Sequence, residues 1–152
     1  MSVSRARAYN NVTREMIDLP FYDRGLRFEC QQCHNCCRGA QAGGVYPSRP
    51  ETQRIADWLK ISLHAFRSRY MVRELDGAPS LRIRANGDCI FWDEGCTIYP
   101  VRPRQCRTFP FWPENLESLP TWESVRQTCH GAGRGKLYRL EDIRSILHGR
   151  AT

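Results

Sequence analysis

Four cysteines lie within eight residues, at Cys30, Cys33, Cys36 and Cys37, in the spacing C-x-x-C-x-x-C-C. Four more follow singly at Cys89, Cys96, Cys106 and Cys129. Cys30, Cys33 and Cys36 recur at every third residue, so a tight loop or a single helical turn can point all three at one centre. Thiolates converge in this way on an iron–sulfur cube or a zinc ion. Cys36 and Cys37 are neighbours, and their side chains are expected to diverge and to serve different irons or different metals. A bridge between them would be strained, because a disulfide needs a particular separation and torsion. The competing readings are a disulfide scaffold and idle core thiols.

Compartment weighs against a disulfide scaffold. The first ten residues lack the apolar segment of a signal peptide, and no stretch approaches the roughly 18 apolar residues of a membrane span. The expectation is a cytoplasmic chain with no membrane segment, where thiols stay reduced and clustered cysteines point to metal. With 152 residues, 41% of them apolar, the chain is long enough for one domain with a modest core. Residues 1–20 are polar and aperiodic and read as a tail or arm. Residues 21–152 read as the cysteine-cluster metal-binding domain.

The formal charge is +7, and 21 of the 23 basic residues are arginine. That excess suggests nucleic acid as a partner, but the count treats every cysteine as neutral. Two closed four-thiolate sites would carry about −2 each and bring the net charge to roughly +3. The arginines are also spread along the chain without a run of five or six. They suit an anionic sulfur centre or an acidic partner better than a nucleic-acid stripe.

Local patterns predict an α+β fold of short helices and a small antiparallel β-meander around the metal. Gly25 to Glu29 reads as an extended lead-in that delivers Phe28 to the core beside Cys30. After the cluster, Gly39, Gly43 and Gly44 mark a loop whose backbone amides could approach sulfur. Ser48 and Glu51 form a capping box with Pro50 in the first turn. It opens a helix over 49–60 with Ile55, Trp58 and Leu59 on one face. Ser62 caps a second helix over 63–72, with Leu63, Phe66 and Tyr70 inward and His64 as an ordinary side chain. The meander is predicted over 80–84, 88–92 and 96–99, turning at Asn86-Gly87 and at Asp93-Glu94-Gly95. Its two hairpins bring Cys89 near Cys96.

Prolines and aromatics from Tyr99 to Pro113 read as a rigid wall around Cys106 that hinders a long regular helix. Arg102, Arg104 and Arg107 are available there to sulfides or to an anionic substrate. A short helix over 120–127 leads to Cys129. The glycines from Gly131 to Gly135 superficially resemble a phosphate loop. His130 and Leu137 stand where that motif needs Gly and Ser or Thr, so a glycine turn after a ligand is the better reading. A last amphipathic helix runs from Leu140 to about His148.

Taken together, several motifs resemble the C-x-x-C-x-x-C-C family, the zinc- or iron-chelating domain of YkgJ-type cysteine-cluster proteins. They are Phe28-x-Cys30-x2-Cys33-x2-Cys36-Cys37-Arg38-Gly39, Asp88-Cys89-x-Phe91, Gly95-Cys96-x-Ile98-Tyr99 and Arg102-Pro103-x2-Cys106-Arg107-x-Phe109-Pro110. The resemblance spans roughly residues 26–135, and a similar cysteine region occurs in the longer flagellin lysine N-methylases. It implies a metal site and leaves the reaction open.

All eight cysteines are thus candidate ligands. Ferredoxin-like spacing suggests Cys30, Cys33 and Cys36 with Cys106 on one four-iron cluster, and Cys37, Cys89, Cys96 and Cys129 as the second set. The cofactor expected is one or two iron–sulfur clusters of the four-iron type, with zinc as the alternative. The leading reading is an iron–sulfur protein in electron transfer or redox support, with a redox or acidic protein as partner. A zinc-stabilised module for RNA or an acidic protein, and a cluster-dependent methylase-like enzyme, are the alternatives. Asp88, Asp93, Glu94 and Glu114 show no acid–base spacing, so no catalytic residue is named.

Overall fold

A computed structural model describes residues 19–39 and 43–150. The arm expected over 1–20 therefore falls, but for its last two residues, outside the described part. Five short helices and two two-stranded antiparallel sheets make the chain an α+β protein. The first strand, β1 (Leu26–Phe28), is the predicted extended lead-in. Its partner β4 (Lys136–Tyr138) comes from the far end of the chain, with Leu26 opposite Tyr138 and Phe28 opposite Lys136.

Ser48 opens α1 (Arg49–Trp58) through both halves of the predicted capping box. Glu51 does more than close that box. Its carboxylate accepts the Ser48 N–H at 2.7 Å and, with its other oxygen, the Arg104 N–H at 2.6 Å, more than fifty residues away. The helix ends two residues early. Trp58 lies on its flank, half exposed, while Thr52, Ile55 and Ala56 form the buried face. Ser62 caps α2 (Leu63–Tyr70) by accepting the Ala65 N–H at 3.1 Å. Phe66 is fully buried there and His64 is exposed.

The helix predicted to reach residue 72 stops at Tyr70. Met71 turns extended and starts β2 (Met71–Arg73), which pairs with β3 (Pro79–Leu81). This hairpin takes the residues that were to begin the meander. Downstream, only the isolated bridges Ile83–Cys89 and Trp92–Cys96 remain of the three predicted strands. The predicted Asn86-Gly87 turn is present, with Gly87 at φ +87°. A regular ladder is missing because its amides are engaged elsewhere. The Cys89 N–H donates to the Cys37 carbonyl at 2.8 Å, and those of Phe91 and Ile98 donate to cysteine sulfur. In place of the third strand, a single 3₁₀ turn covers Tyr99–Val101.

Between Pro103 and Pro110 there is room for one short helix, α3 (Arg104–Thr108), which carries Cys106. Ser118 caps α4 (Leu119–Thr128), one residue longer at either end than its pattern suggested. Finally, α5 (Leu140–Leu147) matches its prediction closely.

Apolar side chains gather into two cores. Phe111, Leu116, Trp122, Val125, Ile143 and Ile146 form the first, with Cys129 among them and Phe28 and Phe109 against them. Ile55, Phe66, Met71, Leu81, Phe91 and Ile98 form the second, with Cys89 and Cys96 against them. Phe111 stacks on Trp122 at 6.2 Å in the first, and Phe66 on Phe91 at 6.2 Å in the second. None of the described helices is long and apolar enough to cross a membrane.

Glu51 carries a testable consequence for stability. Burial opposes its charge, but the Arg104 and Ser48 amides more than offset this and hold its pKa below the ordinary carboxylate value. Its stabilising effect is therefore complete above that ordinary value and is lost as pH falls through the lowered one. Chemical denaturation across acid pH should show Glu51→Gln losing about 1.5–3 kcal/mol at neutral pH and less at low pH. Ser48→Ala, which removes only the cap, should cost about 1 kcal/mol.

Candidate metal centre

All eight cysteines line one cavity of about 480 Å³ at the seam between the two cores. Phe28, Phe109, Trp112 and Val125 wall it on one side and Leu81, Phe91 and Ile98 on the other. Every one of the eight is a free thiol. Cys129 is buried, Cys30 and Cys36 are exposed, and the remaining five are intermediate. No three Cys, His, Asp or Glu side chains among the described residues stand close enough to hold a single ion as placed. The sulfurs ring a space instead of meeting at a point.

Local structure explains how each thiol arrives. β1 delivers the chain to Cys30, and its course is continued by pairing of Phe28 with Ala132 and by the Glu29 N–H on the Gly131 carbonyl at 3.2 Å. His34, in the left-handed region at φ +61°, reverses the loop into a 3₁₀ turn over Asn35–Cys37. Asn35 Nδ2 anchors that turn to the Thr128 carbonyl at 2.9 Å, at the last residue of α4. Sequence reasoning missed this role for Asn35, because a contact across 93 residues leaves no local pattern. It also missed the packing of the His34 ring, tilted by 47°, against Trp92 with ring centroids 4.7 Å apart. Burial and the Arg38 guanidinium hold the His34 pKa below its ordinary value.

The neighbours Cys36 and Cys37 do not diverge as expected. Their sulfurs lie 3.8 Å apart. A hydrogen bond from Cys37 stabilises the Cys36 thiolate and brings its pKa down to about 7, while the same bond and burial push Cys37 far up. Desolvation pushes the Cys106 thiol up to about 12. It also raises Cys89, Cys96 and Cys129, against backbone N–H donors aimed at their sulfurs. The donors come from Phe91 to Cys89, from Ile98 to Cys96, and from Gly131 and Ala132 to Cys129. A buried thiol with amides directed at it is costly to ionise alone and well prepared to ionise against a metal, which supplies the missing positive charge. The donor set, the cavity and the amides together fit a thiolate-bound metal or cluster.

Of the arginines singled out, Arg102 and Arg107 line the cavity. Arg102 sits 3.7 Å over the Tyr99 ring, and Arg107 donates to the Arg102 carbonyl at 2.6 Å. The positive charge of Arg102 adds to the stabilisation of the Cys36 thiolate and offsets a small part of the burial that raises Cys96 and Cys106. Arg104 turns away and caps the α5 carbonyl of Ile146. Of the carboxylates, Asp88 is structural: it accepts the Gly39 N–H at 3.0 Å and Asn86 Nδ2 at 2.8 Å. Asp93, Glu94 and Glu114 do not line the cavity. The Gly131–Gly135 stretch is a turn that runs into β4, with the Gly133 N–H on the Arg27 carbonyl at 2.8 Å.

The fold and this ring of thiols define a cysteine-cluster metal-binding protein. The chain belongs to the CxxCxxCC family, described as "Putative zinc- or iron-chelating domain", which matches residues 29–130. It is similar to the uncharacterized protein MJ0661 of Methanocaldococcus jannaschii, with 31% identity over 113 residues. That alignment covers 72% of this chain and 57% of the relative, so the chain spans little more than half of the relative's length. No solved structure matches.

Gly131 tests how the thiols are placed. A Cβ there would lie 2.2 Å from the Glu29 carbonyl oxygen, which is backbone and cannot swing aside. Gly131→Ala should part β1 from the Cys129 turn and lower bound metal at least several-fold, read by elemental analysis of folded protein. In reduced, metal-free protein, mass-mapped alkylation near pH 7 should modify Cys36 well before Cys106, following their thiolate fractions.

Proposed function

We propose that this chain is an iron–sulfur protein that carries electrons or supports a redox reaction through a centre held in the seam cavity. One observation carries the reading: eight thiols ring about 480 Å³ of mostly apolar-walled space. A lone tetrahedral ion draws four sulfurs to about 2.3 Å from one point. An iron–sulfur cluster holds its cysteines further apart, because each binds a different iron and sulfides fill the middle. A roomy thiol ring suits the second arrangement.

The residues present have defined parts in such a site. The cysteines hold the centre, and a cluster bound there would supply a one-electron couple. Phe28, Phe91, Phe109 and Trp112 keep water from much of the sulfur surface. Backbone amides on Cys89, Cys96 and Cys129 stabilise negative charge on sulfur and so favour the reduced state. Arg102 and Arg107 add positive charge at the same wall and suit an acidic electron partner.

Anaerobic purification or reconstitution, followed by iron, sulfide and zinc analysis and a visible spectrum, tests this. Equal iron and sulfide with a brown colour that bleaches on reduction is the expected result. Colourless protein holding zinc would overturn the iron–sulfur reading and leave a structural chelating module, for which RNA and acidic proteins are the partners to try.

A further inference from the structure

The two cores differ in which cysteines they carry. Cys129 is part of the first core, at the end of α4, and the strand β1 that leads to Cys30 packs on the same core through Leu26 and Phe28. Cys33 joins them. It lines, together with Cys129 and His130, a second cleft of about 760 Å³ that none of the other six cysteines reaches. Asn35 fastens the loop to α4 on this side, and the Glu29 N–H fastens its start.

Cys89 and Cys96 pack instead on the second core. Their turns are joined through the 89–96 segment by the Trp92–Cys96 bridge and the Trp92 N–H on the Cys89 carbonyl at 2.9 Å. Cys106 is placed with them by the backbone start of α3 and by Gln105, while the Arg104 side chain reaches across to the Ile146 carbonyl of the first core. Arg104 N–H meets Glu51 of α1, Gln105 Oε1 accepts the Tyr46 N–H at 3.0 Å, and Gln105 Nε2 donates to the Gly44 carbonyl at 2.8 Å. The chain crosses from one side to the other between the neighbours Cys36 and Cys37. Cys36 completes the three-residue repeat of Cys30 and Cys33. Cys37 is bonded through its carbonyl to Cys89, and the next residues follow it over, Gly39 N–H to Asp88.

From this layout we propose two separate four-thiolate sites, one made by Cys30, Cys33, Cys36 and Cys129 and the other by Cys37, Cys89, Cys96 and Cys106. Each is seated against its own core, and the Cys36–Cys37 peptide is the link between them. The proposal rests on the reading of the cavity as a metal centre. It exchanges Cys106 and Cys129 relative to the division that sequence spacing suggested. Ferredoxin-like spacing identifies the first three ligands of a site, but the fourth is whichever remote thiol the fold brings to that side.

Metal content of paired variants tests the division. Cys33→Ser/Cys129→Ser and Cys89→Ser/Cys96→Ser should each keep half of the wild-type metal, and the two combined should keep none. Circular dichroism is used to confirm folding. Loss of all metal from either double variant, or retention of the full amount, would overturn the division. A second measurement needs no variant: wild-type protein is partly stripped with a chelator, alkylated and mapped by mass spectrometry. Cys30, Cys33, Cys36 and Cys129 should become reactive as one group, and Cys37, Cys89, Cys96 and Cys106 as another. Reactivity that appears in all eight together, or in mixed groups, would overturn it. Wild-type protein that takes up no metal under anaerobic reconstitution would instead refute the metal centre itself, a result distinct from failure of the division.

Discussion

The organising constraint is the electrostatic cost of gathering thiols in a place where five of the eight are harder to ionise than usual. The bond with Cys36 and burial push Cys37 up, and burial pushes Cys89, Cys96, Cys106 and Cys129 above the ordinary thiol pKa. A bound metal would supply the positive charge that offsets this cost. The rest of the structure can be understood as the means of holding the thiols there. Two cores meet along the cavity, and turns too short to be strands spend their amides on sulfur instead of on a ladder.

This arrangement also explains why the regular elements are so brief. A strand needs its N–H groups for the neighbouring strand, yet the amides of Phe91 and Ile98 serve Cys89 and Cys96. Cys89 itself gives its N–H to Cys37. What remains are single bridges and 3₁₀ turns around the cavity, with α1, α2 and α5 outside its lining as scaffolding. Glu51 shows the coupling between scaffold and site. One carboxylate caps α1 and holds the start of α3, and so positions Cys106 through an ordinary helix-capping device.

Charge follows the same logic. Several of the described arginines have partners within the protein. Arg102 lies at the cavity wall beside Tyr99, Arg38 sits 5.0 Å over Trp92 and 4.0 Å from Asp88, and Arg104 serves a helix end. Net charge alone does not distinguish such side chains from arginines open to a partner.

By itself the sequence determined the family, the eight candidate thiols, the capped helix starts at Ser48 and Ser62, the Asn86-Gly87 turn and the last amphipathic helix. Each depends on residues near one another in the chain, where side-chain chemistry and spacing are directly visible. Only the tertiary structure decided that β1 pairs with β4, that Asn35 reaches Thr128, that α2 gives way to a hairpin, and that Cys129 is buried in the first core. These are contacts between distant segments whose local patterns are weak or equivocal. Which segment lies beside which is settled by how two cores close on one another, and a spacing between cysteines carries no record of that.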